Sequence, residues 1–220
     1  MNRIALIGGG EFEQAFDDFH IAIFEQFGFR NPKITYFPTA AARDGEDRVR
    51  YWTNVAVQRL TYVGSRPSPA MVLNKNAAND SENVQLVENA DIIYLGGGLP
   101  QVYIEILSNS LVWQKIALAI RSGKPLIAAS AGAMILGEIC LVDEYPGDYP
   151  PSKWSQGFSV LEGIGIAPHF DTFPSAWIEK IKMTLPASKT LFGIDEATAI
   201  LLNDDKEIIL GNGKVIKYKK

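Results

Sequence analysis

The residues best suited to chemistry are a serine, a histidine and a pair of acids in the second half of the chain. Ser130 lies in the small-residue sequence AASAG, and His169 lies in the sequence PHF. A serine hydroxyl is a weak nucleophile until an adjacent base removes its proton, and His169 is the single histidine after Ser130. The small neighbours of Ser130 fit the sharp strand-to-helix turn that exposes a nucleophile. This pattern predicts acyl transfer with Ser130 as nucleophile and His169 as general base.

The acid that orients the base is expected in the sequence GIDEAT, which places Asp195 and Glu196 between two apolar runs. Neighbouring residues of an extended segment point in opposite directions, so only one of the two carboxylates reaches His169. We favour Glu196 and keep Asp195 as the reserve acid, with Asp171, close to His169 in sequence, as a third choice. Taken alone, each also fits a structural role, Ser130 as a helix N-cap and the acids as a solvated turn.

Two GGG sequences follow the first and fourth predicted strands. The dinucleotide-binding fingerprint requires a further glycine three residues after the second, where this chain has Glu13 and Gln101. The triplets therefore predict one of two roles. They form tight turns that need positive φ, or they present the N–H groups of Gly97 or Gly98 to a developing negative charge.

The elements that must position these residues follow from the hydrophobic pattern, in which short β-branched runs alternate with longer amphipathic stretches. This order predicts a three-layer α/β domain spanning residues 1–220, with a mostly parallel sheet, helices on both faces and C-terminal β-hairpin strands. Carboxyl ends of parallel strands share one edge, where chemistry gathers. The predicted strands are 3–7, 34–37, 70–73, 92–95, 126–129, 191–194, 199–202 and 208–210, and the predicted helices are 12–27, 49–60, 102–120 and 176–184.

Composition excludes several classes of partner. With 21 basic and 25 acidic residues the net charge is -4, so we expect neither nucleic acid nor a membrane surface as partner. The longest apolar stretch, 126–136, is too short to cross a bilayer. Cys140 is the only cysteine, and the two histidines, with His20 assigned no role, provide no paired ligand spacing. We expect no metal, no cofactor and a cytoplasmic protein, while the sequence carries no signal for oligomeric state.

Five short sequences together resemble the serine peptidase family of dipeptidase E and cyanophycinase, which has the class I glutamine amidotransferase fold. They are FPTA after the second strand, LGGG, SAGA, PHF and GIDE, in that order along most of the chain. The resemblance implies Ser130 as nucleophile, His169 as base and Glu196 as orienting acid. It also implies an oxyanion hole formed by Gly97 or Gly98 and the amide of Ala131.

Three features depart from that resemblance or limit it. Ala128 replaces a glycine that is common in the family, and Leu99 and Pro100 follow the triplet where asparagine-threonine or aspartate-glutamine is typical. Amidotransferases of this fold use cysteine at the turn, whereas Cys140 is expected ten residues further on, in the following helix. Glutaminase activity is therefore not expected.

The substrate implied by the resemblance is a small peptide with aspartate, or a β-linked aspartyl unit, before the scissile bond. An acidic group requires a cation, for which Arg43 is the first candidate, followed by Arg48 and Arg50. The segment 143–158 is rich in Tyr, Pro, Gly and Trp and is expected to form a surface loop or a pocket wall. The wall residues would be Tyr145, Tyr149 and Trp154.

Two other functions remain open from the sequence. The first is a ligand-binding or regulatory module that kept the fold without turnover. The second is an esterase of the α/β-hydrolase type, whose acid precedes its histidine and would be Asp143, Glu144 or Asp148.

Overall fold

Twelve strands form two sheets in a computed structural model, which describes residues 3–142, 153–203 and 206–220. The larger sheet has seven strands in the order β11-β10-β1-β5-β4-β2-β3, and the smaller has five in the order β12-β9-β8-β6-β7. The strands are β1 (Arg3–Ile7), β2 (Lys33–Phe37), β3 (Arg66–Pro69), β4 (Ile92–Leu95), β5 (Leu126–Ala129), β6 (Gly137–Val142), β7 (Lys153–Gln156), β8 (Leu161–Ala167), β9 (Thr190–Ile194), β10 (Thr198–Asn203), β11 (Lys206–Gly211) and β12 (Val215–Lys219).

Seven α-helices lie in the described part of the chain. Their lengths range from a single turn after β5 to 17 residues. They are α1 (Asp17–Gln26), α2 (Glu46–Tyr62), α3 (Ser81–Asn89), α4 (Pro100–Leu107), α5 (Leu111–Arg121), α6 (Ala131–Met134) and α7 (Ser175–Thr184).

Both sheets bring parallel carboxyl ends to the same region. In the larger sheet β1, β5, β4, β2 and β3 run parallel to one another, while β10 and β11 add an antiparallel edge. In the smaller sheet β6, β8 and β9 are parallel, with antiparallel β7 and β12 at the edges. The predicted mostly parallel α/β architecture is confirmed, with the strands divided between two sheets.

Successive side chains of β1 point to opposite faces of the larger sheet, and each face is covered by its own set of elements. Ala5 and Ile7 pack with the residues of α1 and α2, whereas Ile4 and Leu6 face a second core that contains α3, α4, α5 and the smaller sheet. All four are buried, and burying a side chain the size of isoleucine contributes about 1.5–3 kcal/mol. The larger sheet is thus covered on both faces. Residues that contact a substrate must therefore lie at the ends of its strands.

The predicted C-terminal hairpin is present, because β10 and β11 pair antiparallel. The last strand, β12, does not extend this hairpin and pairs with β9 in the smaller sheet. Gly211 has φ of +108°, and a Cβ there would lie 2.2 Å from the Ala197 carbonyl oxygen, so the chain turns tightly as it passes between the sheets.

Three local expectations were wrong. Residues 70–73 are not a strand, because the edge strand β3 lies just before them and accommodates Pro67 and Pro69, which an edge position tolerates. The helix expected over 102–120 is two helices, α4 and α5, separated where Asn109 takes φ of +60° and Ser110 caps the N-terminus of α5. Cys140 lies in β6 rather than in a helix.

His20 is a buried histidine of the core on α1. Its Nε2 lies 3.1 Å from the Tyr94 hydroxyl, and its ring stacks on Phe12 and meets Phe16 edge to face. Burial lowers the pKa of His20 from 6.5 to about 4. The folded protein therefore holds this imidazole in its neutral form.

This burial predicts a loss of stability in mild acid. The unfolded chain protonates His20 near pH 6.5 and the folded chain only near pH 4, so stability falls as pH decreases through that window. Neutral His20 contributes about 3 kcal/mol to the free energy of unfolding at pH 7, and this contribution is lost by pH 4. Because Gln does not titrate, the stability of His20→Gln should lack this pH dependence. Urea unfolding of both proteins at pH 7 and at pH 4 measures the difference, and equal pH dependence would contradict the prediction.

Candidate active site

The candidate site forms where the two sheets meet, at the carboxyl end of β1. The carbonyl of Gly8 accepts a hydrogen bond from the N–H of His169 at 2.9 Å, and the carbonyl of Gly9 accepts one from the N–H of Ala197 at 3.1 Å. His169 follows β8 and Ala197 follows β9, both in the smaller sheet. The glycine turn after β1 thus links the larger sheet to the loops after β8 and β9.

Ser130, His169 and Glu196 form a continuous hydrogen-bonded chain in the structure. The Ser130 Oγ lies 2.9 Å from His169 Nε2, and His169 Nδ1 lies 2.8 Å from Glu196 Oε1. The three residues follow β5, β8 and β9, so three separate strand ends converge. A serine, an imidazole and a carboxylate in this order are the groups that activate a hydroxyl for nucleophilic attack.

The turn at Ser130 is sharp, as the sequence predicted. Ser130 has φ of +49° and ψ of -115°, a backbone conformation that costs about 1–3 kcal/mol for a residue with a side chain. Its N–H donates to the carbonyl of Ile7, which anchors the turn to β1. A Cβ on Gly132 would lie 2.4 Å from the Leu95 carbonyl oxygen, so bulk is excluded on the far side. This strain points the Ser130 side chain toward His169.

The other two acids have structural partners. Asp195 Oδ2 accepts the N–H of Lys214 at 2.8 Å, which ties the end of β9 to the start of β12. Asp171 Oδ1 accepts the N–H of Glu196 at 2.8 Å. Of the three candidate carboxylates, Glu196 therefore carries the bond to His169, and Asp171 holds the backbone of Glu196 in place.

The second glycine triplet crosses close to Ser130. Gly98 has φ of +136°, and a Cβ there would lie 2.6 Å from the carbonyl of Ala40. The N–H of Gly97 acts as a hydrogen-bond donor to the carboxylate of Glu11. Within the described residues, neither Gly98 nor Ala131 donates its N–H to another backbone carbonyl. Those two N–H groups are free to face a ligand.

A cavity of about 520 Å³ opens beside Ser130 and His169. One wall is aromatic, with side chains from the loop after β1, from β2 and from α2. The other side chains in the cavity include three carboxylates and one guanidinium. The aromatic residues are Phe12, Tyr36, Tyr51 and Trp52, and the charged ones are Glu11, Glu13, Asp44 and Arg48.

The arginine that was expected to bind an acidic substrate group does not line the cavity. Arg43 pairs with Glu105 and does not line the cavity. Arg50 pairs with Asp47 on the exposed side of α2, also outside the cavity. Arg48 lines the cavity, 4.0 Å from Asp44. Direction around the helix axis explains the difference between Arg48 and Arg50, since residues two positions apart on α2 point to nearly opposite sides, about 160° apart.

The predicted wall residues divide between a separate groove and the part of the chain not described. Trp154 lies on β7, where its indole N–H is bonded to Thr184, and it lines a different groove with Glu138 and Glu162. Tyr145 and Tyr149 fall outside the described residues, as do the esterase acids 143, 144 and 148.

Sequence reasoning missed Glu11. It follows the first glycine triplet directly, and an acid at the carboxyl end of the central strand was the available signal. Burial is the main cause that raises the pKa of Glu11 above its usual 4.5, while the N–H of Gly97 and the nearby His169 oppose that rise. Burial is the main cause that raises the pKa of Tyr36, and the nearby Glu11 adds to that rise.

Neither a metal centre nor a membrane span emerges from the part of the chain that the structure describes. In residues 3–142, 153–203 and 206–220, His, Cys, Asp and Glu side chains nowhere gather in threes around a point that suits a metal ion. Over the same residues, each helix is too short or too polar to span a bilayer.

Comparison with known proteins relates the chain to a family of peptidases. The model of peptidase family S51 matches residues 4–210. An uncharacterized peptidase of Pasteurella multocida (strain Pm70) is 27% identical over 188 residues, or 84% of this chain and 88% of that protein. Peptidase E of Actinobacillus pleuropneumoniae serotype 5b (strain L20) is 22% identical over 204 residues, or 87% of this chain and 80% of that protein. The crystal structure of a peptidase from an acI-B1 Actinobacterium has a TM-score of 0.84 at 28% identity, covering 100% of this chain and 94% of that one.

The close approach of Gly9 to the His169 ring predicts that a side chain at position 9 would move the ring. A Cβ on Gly9 would lie 2.4 Å from His169 Cε1, so Gly9→Ala should displace the ring from Ser130. A misplacement of about 1 Å is expected to lower the rate at which a fluorophosphonate labels Ser130 by about 100-fold. Gly28→Ala is the control, because Gly28 also has positive φ, +78°, but has open space around it. Equal labelling of both variants would contradict the prediction.

Proposed function

Because the chain belongs to peptidase family S51 and is therefore a serine-type peptidase, we propose that Ser130, His169 and Glu196 are its catalytic triad. The observation that carries the proposal is the hydrogen-bonded chain from the Ser130 hydroxyl through both ring nitrogens of His169 to the Glu196 carboxylate. The substrate is a small peptide, which enters the cavity beside Ser130.

The reaction follows from the positions of these groups. His169 Nε2 takes the proton of Ser130 as the oxygen attacks the peptide carbonyl, and Glu196 stabilises the imidazolium through Nδ1–H. The protonated ring then delivers its proton to the leaving amine, so an acyl-enzyme remains on Ser130. A water molecule, deprotonated by the same ring, hydrolyses the ester and restores the hydroxyl.

The oxyanion is stabilised by the N–H groups of Gly98 and Ala131. Both lack backbone acceptors among the described residues, whereas the N–H of Gly97 is directed to Glu11. Ala131 follows the nucleophile directly, which is the usual position for one of the donors. Removing one such donor typically lowers kcat by about 10²- to 10³-fold.

The other activities weighed from the sequence fit the geometry less well. In an α/β-hydrolase arrangement, an acid that precedes His169 in sequence would accept a hydrogen bond from His169 Nδ1, but Glu196 is already the partner of that nitrogen. A glutaminase would need a thiolate at the turn, and Cys140 is buried in β6, where burial raises the pKa of its thiol to about 12. A module without turnover has no need of a strained serine bonded to an oriented imidazole.

The preference for an acidic residue before the scissile bond is assigned to Arg48 in place of Arg43. Arg48 is the arginine that lines the described cavity, and its bond to Asp44 is long at 4.0 Å. A substrate carboxylate can therefore compete for the guanidinium, which suits bidentate binding of a planar acid.

Two substitutions separate the triad acid from its neighbour. Glu196→Gln keeps an oxygen near His169 Nδ1 but removes the charge, so kcat should fall by about 10²- to 10⁴-fold. Asp195→Asn is the matched control, because Asn retains an acceptor for the N–H of Lys214 and the residue does not contact His169. Steady-state hydrolysis of aspartyl dipeptides measures both, with Ser130→Ala as the inactive reference. Hydrolysis that persists in Ser130→Ala would refute the nucleophile.

Substrate preference tests Arg48 separately. Arg48→Met should lower kcat/KM for an Asp-X dipeptide by about 10- to 150-fold relative to the Ala-X dipeptide, because a charge-assisted hydrogen bond is lost. Arg50→Met is the matched control on the same helix, since Arg50 pairs with Asp47 outside the cavity. An unchanged Asp-to-Ala ratio in Arg48→Met would remove Arg48 from substrate recognition.

A further inference from the structure

Glu11 is an acidic residue of the catalytic cavity that forms no ion pair with a lysine or an arginine among the described residues. The residue is partly exposed, but its carboxylate is shielded from bulk water, which is the main cause of its raised pKa. No arginine or lysine in residues 3–142, 153–203 and 206–220 forms an ion pair with it. Its hydrogen-bond donors are its own N–H and that of Gly97. Two neutral amides leave most of its charge uncompensated.

The carboxylate lies beside the proposed nucleophile. A methyl group built on Gly97 would be 3.5 Å from Glu11 Oε1 and 3.8 Å from Ser130 Oγ, so the two side chains flank the same small space. Both line the cavity with His169. A substrate carbonyl bonded to Ser130 would therefore lie next to the carboxylate.

A lone carboxylate at this place opposes the reaction proposed above. Attack by Ser130 creates a negative oxygen, and a second negative charge nearby in a poorly solvated space raises the energy of that transition state. The ring of His169 gains its positive charge only during the reaction. A cation that arrives with the substrate would neutralise Glu11 and remove the penalty.

We propose that Glu11 binds a primary ammonium group on the substrate residue whose carbonyl Ser130 attacks. This assignment rests on the proposed function and adds a specificity determinant to it. The ammonium has two possible sources, a free amino terminus or an amine-bearing side chain. The terminal amine is the nearer one, since its nitrogen is only two covalent bonds from the attacked carbon.

The rest of the cavity is consistent with a substrate of mixed charge. Arg48 provides one positive group on α2, while Glu13 and Asp44 add negative charge to the lining. An aspartyl peptide with a free amino terminus carries both charges and would place its ammonium at Glu11 and its side-chain carboxylate at Arg48. Acylation of the amino terminus removes the ammonium and leaves Glu11 unpaired.

The test uses p-nitroanilides of aspartate and alanine with free and with acetylated α-amines, and Nα-acetyl-lysine p-nitroanilide for the side-chain source. Wild-type enzyme should prefer the free α-amine over its acetylated form by about 10- to 150-fold in kcat/KM. Glu11→Gln keeps an acceptor for the N–H of Gly97 but loses the charge, and should bring this ratio near one. The free-amine substrates should lose rate, whereas the acetylated substrates, no longer opposed by the carboxylate, should be cleaved at least as fast as by the wild-type enzyme.

Glu46→Gln is the matched control, because it removes one unit of negative charge from the first turn of α2, outside the cavity, and should leave the ratio unchanged. Labelling of Glu11→Gln by a fluorophosphonate at least as fast as labelling of wild type would show that the variant is folded with Ser130 reactive. A preference for Nα-acetyl-lysine over Nα-acetyl-alanine that Glu11→Gln abolishes would support the proposal with the side chain as source.

Three results would overturn the assignment. Wild-type enzyme that cleaves free and acetylated substrates alike, with no preference for lysine, shows that no ammonium is bound. Glu11→Gln that lowers all substrates equally shows that Glu11 only holds Gly97. If wild-type enzyme cleaves none of the substrates and Ser130 does not react with the fluorophosphonate, the proposed function fails, and this assignment falls with it.

Discussion

The two backbone hydrogen bonds that Gly8 and Gly9 accept from the loops after β8 and β9 are the contact on which the site depends. They join the larger sheet, which holds Ser130, to the smaller sheet, which supplies His169 and Glu196. Neither glycine has room for a side chain, because a Cβ would meet the Asp195 carbonyl or the imidazole. The backbones therefore approach closely enough for three side chains from separate strands to form one hydrogen-bonded chain.

Charge in the cavity is arranged around this junction. The proposed triad develops positive charge on His169 and negative charge on the substrate oxygen, and the free N–H groups of Gly98 and Ala131 match the latter. Glu11 is the exception, since this acid lies beside Ser130 and forms no ion pair with a lysine or an arginine of the described chain. On the proposal made above, an ammonium group of the substrate supplies the missing positive charge, so that charge as well as shape would select the substrate.

Local patterns predicted much of the fold because hydrophobic periodicity and turn residues act over a few positions. They recovered the parallel core, α2, α7 and the turn at Ser130. They failed where a longer-range contact decided the outcome. Pro67 and Pro69 form a strand only because β2 accepts them at a sheet edge, and β12 leaves β11 because its partner β9 lies in the other sheet.

The sequence by itself determined the kinds of groups available and their order: a serine in a small-residue turn, one later histidine, an acidic pair, and glycines after the strands. Only the tertiary structure decided which acid reaches His169, which arginine enters the cavity, and that Glu11 lies beside Ser130. The reason is geometric. A residue's type is written in the chain, but its neighbours depend on how distant strands pair and on which way each side chain then points.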